Sequence, residues 1–233
     1  MKKYRILALS VLVVVAISLL IMYGSPISTA NDDKYDDFEQ LSQNEKQGED
    51  YSISFKISNP DFLLLAIHGG GIEPGTSELA EQIAEEGNFS YYTFNGIKSK
   101  DNADLHITSA IFDEPKAVEI AGDSQYTLSF HGYDEDENKH TYVGGLDEEL
   151  RNSVKNQLKN TGFSVSDAPK SVDGKETDNI VNKNKQGKGV QLEISTMQRK
   201  AFFTDNDFSS ANRKNKTEEF YAYTDAIQKA LNK

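Results

Sequence analysis

The stretch FLLLAIHGGG, residues 62–71, constrains the fold more than any other part of the chain. Six apolar residues stopped by histidine and three glycines have the length and Leu/Ile content of a buried strand rather than a helix. Similar short runs at 89–94, 126–130, 141–143, 163–165 and 190–194 read as further strands. Amphipathic helices are expected at 77–86, stopped by Gly87, at 146–159, stopped by Gly162, and at 217–231. The last carries Phe220, Tyr223, Ile227 and Leu231 on one stripe, the pattern of a core-facing helix. No internal repeat interrupts this alternation. It predicts a single α/β domain with a mixed, mostly parallel sheet and helices on both faces. Ligands of such sheets gather beyond the carboxyl ends of the strands.

The remaining segments are of different character. Lys2, Lys3 and Arg5 precede an uncharged apolar run and then Ser28, Thr29 and Ala30, the layout of a signal peptide over residues 1–30 cut after Ala30. An uncleaved membrane tether is the alternative, since the apolar run approaches the roughly 18 residues of a spanning helix. Residues 31–50 are acidic with few apolar side chains and read as a solvated, disordered linker, leaving 51–233 as the folded domain. There is no cysteine, so neither disulfides nor thiolate chemistry is available. The formal charge of −12 becomes −15 without residues 1–30, which carry three positive charges and no negative ones. So acidic a chain is a poor general binder of nucleic acid or anionic membranes. The expected product is a secreted monomer.

Chemistry concentrates at the strand ends. His68, followed by Gly69, Gly70 and Gly71, stands five residues before Glu73, and the glycines let the chain turn so that the carboxylate folds back beside the imidazole. A hydrolytic zinc site often takes two His and one Glu, but HGGG fits a tight strand-to-helix turn with an incidental histidine equally well. It also resembles a lipase oxyanion loop, which requires a Gly-x-Ser-x-Gly elbow that the chain lacks. His131 repeats the pattern in YTLSFHG, and these are two of only four histidines. Glu193 interrupts the apolar strand GVQLEIS, where a carboxylate requires a partner or a polar cavity. It would serve as proton acceptor and donor, or form an ion pair with Arg199 or Lys188.

HGGGIEPGTSE, LHITS with FDEP, SFHGY, VGGLDEELR and NIVNKNKQGKGVQLEIS together resemble the poly-γ-glutamate hydrolases of bacteria and phages, over about residues 63–199. The resemblance implies a zinc carboxypeptidase-like fold and one Zn2+ per chain held by His68, Glu73 and His131. It also implies Glu193 as general base and acid, and hydrolysis of γ-glutamyl amide bonds in a polyanionic glutamate polymer. The ligand spacing His-x-x-x-x-Glu is wider than the His-x-x-Glu of ordinary carboxypeptidases. Relatives often have Arg where this chain reads NKNKQGKG, and Lys lacks the planar fork of Arg. Because the substrate carries a carboxylate per residue, cations are expected along the groove: Lys183, Lys185, Lys188 and, foremost, Arg199. His106, Asn179 and Asn182 are further candidates for substrate binding, and His140 reads as exposed loop. The competing functions are a zinc amidase or carboxypeptidase acting on cell-wall peptides and a non-catalytic binding module of the same fold.

Overall fold

The computed structural model describes residues 33–59 and 61–232; the expected signal peptide or tether lies outside them. Seven strands form one sheet: β1 (Tyr51–Lys56), β2 (Phe62–Gly70), β3 (Ser90–Gly96), β4 (Tyr126–Tyr133), β5 (Thr141–Gly144), β6 (Val165–Asp167) and β7 (Val190–Ser195). Their order is β1-β3-β2-β4-β7-β5-β6. The β1/β3 and β5/β7 pairs are antiparallel and the other four parallel, so the sheet is mixed and mostly parallel as expected. The helices are α1 (Phe38–Asn44), α2 (Thr76–Gly87), α3 (Pro115–Asp123), α4 (Glu148–Asn160), α5 (Thr196–Ala201) and α6 (Glu218–Leu231). No helix among the described residues is long and apolar enough to cross a membrane.

The two-residue period of a strand sorts the core into two layers. Leu64, Ala66, Leu128, Phe130, Leu192 and Ile194 pack with α2, α4 and α6. Leu63, Leu65, Ile67, Tyr92 and Phe94 pack with α1, α3 and Leu105 on the other face. A buried leucine of β2 such as Leu65 contributes about 1.5–3 kcal/mol by leaving water. The α6 stripe is buried as its spacing predicts.

Residues 33–50 are not a solvated linker. Asp37 caps α1 by accepting the Gln40 N–H at 2.7 Å, and Tyr35 and Leu41 are buried. Phe38 meets Phe94 edge-on, with ring centroids 6.3 Å apart. Glu45 accepts the Tyr35 hydroxyl at 2.5 Å and an ion pair from Lys98 at 3.2 Å. Composition averaged over twenty residues hid a few apolar side chains spaced to cover one face of the sheet.

A local irregularity decides what the fold can do. Ala66 pairs with Thr93 and Gly69 with Asn95, so β2 uses three residues where β3 uses two. Strict alternation would send His68 to the Leu64/Ala66 face, toward α2. The extra residue turns it to the opposite face, where Ile107 and His106 receive it.

Candidate active site

His131 and Glu193 need no such device. They stand on the same face of their strands as Ser129 and Gln191, and they are direct partners in the β4/β7 register. The bulge brings His68 to that face. Glu73 follows it around a turn in which Gly70 adopts φ +65°, a left-handed conformation suited to glycine, and the Glu73 N–H bonds to the His68 carbonyl at 2.8 Å. The Glu73 carboxylate is then held at one oxygen by the Gly132 N–H, at 2.9 Å.

The outcome is a compact donor set. His68 Nδ1 lies 3.2 Å from Glu73 Oε1 and 3.1 Å from His131 Nδ1, which is 3.7 Å from Glu73 Oε2. These three residues form the only such group among the described residues. His68 Nε2 donates to the Ile107 carbonyl at 2.9 Å, which leaves Nδ1 as a lone pair aimed at the cluster. Two imidazole nitrogens and a carboxylate oxygen at these separations match donors about 2.0–2.2 Å from one shared zinc ion. The buried set fits a divalent cation.

The electrostatics agree. Burial works to raise Glu73, but the neighbouring His68 and His131 imidazoles outweigh it and hold the carboxyl at about 2. Burial likewise opposes charge on His68, yet the Glu73 carboxylate wins and raises it. His131 falls to about 3 through burial; the Glu73 carboxylate opposes the fall, and the neighbouring His68 and His106 imidazoles add to it. A metal bound there would compete with protons for these nitrogens. Glu193 is pushed well above the carboxylate range by burial and by the negative charge of Glu73. Its Oε1 accepts from Gln191 Nε2 at 2.8 Å, and Gln191 in turn accepts from Asn179 at 2.9 Å.

These groups line a cleft of about 400 Å³ with His106, Thr108, Ser109, Tyr133 and Ser171. Of the expected substrate contacts, His106 and Asn179 border it. The other five, Lys183, Lys185, Lys188, Asn182 and Arg199, do not. Lys188 precedes β7 and so lies at the amino end of the strand, where it pairs with Asp147 at 3.4 Å and borders a separate cavity with Phe62 and Tyr126. Asn182 is a loop staple, donating to the Gly174 and Glu176 carbonyls and accepting from the Gly189 N–H. Arg199 is buried behind Glu73, bonded to the Ile194 and Pro74 carbonyls and the Thr196 hydroxyl. Lys183 pairs with Asp178, and no Lys or Arg among the described residues lines the cleft. Gln191, two residues before Glu193 on the same strand face, is the one cleft residue that strand periodicity alone could have added.

The fold and this donor set define an α/β protein with a buried cluster of two histidines and a glutamate at the carboxyl ends of its central strands. Residues 35–226 match the family model for poly-gamma-glutamate hydrolase, and the chain belongs to that family. It is 41% identical to UPF0714 protein YmaC of Bacillus subtilis, over 97% of both chains. It is 39% identical to UPF0714 protein YndL of the same organism, over 95% of this chain and 87% of that one. A solved bacteriophage poly-gamma-glutamate hydrolase superposes with a TM-score of 0.84 at 45% identity, covering 85% of this chain and 96% of the other. A zinc-free apo structure of YndL gives 0.80 at 39% identity, over 86% and 98%. The zinc carboxypeptidase-like layout expected from the resemblance is thus the observed one, and the chain is a hydrolase of the poly-γ-glutamate kind.

Proposed function

We propose that the protein is a secreted, zinc-dependent hydrolase that cuts the γ-glutamyl amide bonds of poly-γ-glutamate. The observation that carries this reading is the convergence of His68, Glu73 and His131 beside Glu193 in one cleft. His68 and His131 would hold the metal through imidazole nitrogen and Glu73 through a carboxylate oxygen. Zinc, when bound there, supplies a Lewis acid for the scissile carbonyl and acidifies water. A zinc-free form of the similar YndL supports the choice of metal.

Glu193 takes a proton from the attacking water and returns it to the leaving amine. Burial and the Glu73 carboxylate favour the protonated form, which suits the second half of that task; the Gln191 hydrogen bond and the Arg199 charge favour the ionised form needed for the first. Gln191 fixes one carboxylate oxygen and leaves the other to exchange the proton. With no Lys or Arg along the cleft among the described residues, the hydroxyls of Ser109, Ser171 and Tyr133 and the amide of Asn179 are the groups that meet the substrate carboxylates.

The test is polymer size after incubation. Shortening that a chelator blocks and added zinc restores is expected, as is zinc-loaded but inactive Glu193→Gln, slower by about 10²–10⁴-fold. Chelator-resistant shortening, or cleavage of peptidoglycan fragments with the polymer left intact, would overturn the reading.

A further inference from the structure

The amino-terminal segment brings into the site a residue that precedes the family match. The Asp33 side chain is 7% exposed, and its Oδ1 lies 2.5 Å from His106 Nδ1. Its Oδ2 accepts the Thr108 N–H at 2.6 Å. Burial acts to raise Asp33, but the bonds from His106 and Thr108 outweigh it and keep the carboxyl below its ordinary value. An ionised carboxylate only accepts, so the shared proton belongs to His106 Nδ1. The His106 ring borders the cleft and lies against His68, with centroids 3.9 Å apart. Its Nε2 has no hydrogen-bond partner among the described residues.

We propose that Asp33 is a positioning residue that locks His106 as the Nδ1–H tautomer, so that Nε2 offers a lone pair to an amide N–H of the bound polymer. The substrate in this statement rests on the hydrolase reading above; the dyad rests on the geometry. A polymer amide drawn out of water needs an acceptor, because a donor left unpaired there keeps its full desolvation penalty. His106 supplies it only in this tautomer.

The carboxylate chemistry gives the test its edge. Both Asp33 oxygens face N–H donors, whereas an amide has one acceptor oxygen. The Thr108 hydroxyl also bonds this carboxylate but can turn to donate or accept, so in Asp33→Asn one of the two N–H donors must meet the NH2 group. The Thr108 backbone cannot reverse its role, but the imidazole can. His106 then moves its proton to Nε2, and the atom facing the substrate changes from acceptor to donor.

Nitrogen NMR of the zinc-loaded full chain, labelled at its four histidines and assigned with His106→Ala, reads the tautomer without substrate. The expected result is Nδ1–H in the wild type and Nε2–H in Asp33→Asn. That variant should lose about 10–100-fold in kcat/KM with unaltered zinc content. Asp33→Glu, which keeps two acceptors, should retain the wild-type tautomer, and adding Asp33→Asn to His106→Ala should cost nothing more. An unchanged tautomer in Asp33→Asn, or a changed one with full kcat/KM, would overturn the proposal; so would full activity of His106→Ala should Asp33→Asn not fold. A wild type that leaves the polymer intact would instead overturn the hydrolase reading.

Discussion

Replacing Glu73 with glutamine removes a charge and almost no volume, and the amide can still accept the Gly132 N–H. The structure sets the size of the effect. Glu73 is held at about 2 against an ordinary 4.5, and its side chain is only 14% exposed, so solvent screens it little. At 1.36 kcal/mol per pKa unit, the charge contributes up to about 3 kcal/mol to the metal-free protein. For 150–250 residues that is a fall of roughly 6–12 °C in melting temperature. The sign and window follow from the pair. A depressed carboxyl stabilises above its unfolded value of 4.5 and loses that contribution as pH falls toward 2. The raised His68 contributes fully below 6.5 and loses its share as pH rises through its folded value. The gap between wild type and Glu73→Gln in chelator should thus be widest near pH 6 and narrow on both sides, as read by calorimetry. Zinc at a hundredfold excess over its dissociation constant should add about 2.7 kcal/mol to the wild type and much less to the variant. Equal melting temperatures at pH 6 in chelator would refute the charge argument.

Two further substitutions test the corrected site. Lys188→Ala should leave kcat/KM on the polymer unchanged and remove only a partly exposed ion pair worth at most about 1 kcal/mol; a several-fold rise in KM would return Lys188 to the substrate path. In Gly132→Ala the new methyl meets the Arg199 guanidinium, an overpacking expected to cost about 1–3 kcal/mol in denaturant melts and to lower zinc stoichiometry by displacing the N–H that holds Glu73. A stable, fully loaded variant would show that Arg199 yields freely.

The strands that carry the site were readable because buried parallel strands are continuous apolar runs, and their polar interruptions, His68, His131 and Glu193, mark their mouths. The acidic segment was misread because α1 is held by contacts distant in sequence, such as Lys98 with Glu45. β1 and α3 were passed over although their signals were local: alternation in YSISFK, and Glu114 capping a helix that begins at Pro115. The cations were misplaced because charge was judged by distance along the chain, whereas the direction of β7 puts Lys188 and Glu193 at opposite ends of the sheet. Asp33 reaches His106 across 73 positions, and no local pattern encodes such a meeting.

The extra residue between Ala66 and Gly69 makes the cluster a matter of parity. Restoring an even count would turn His68 toward α2 while every ligand stayed written in the gene. A single-codon deletion could therefore silence the catalyst in a way that inspection of its motif letters would pass as intact.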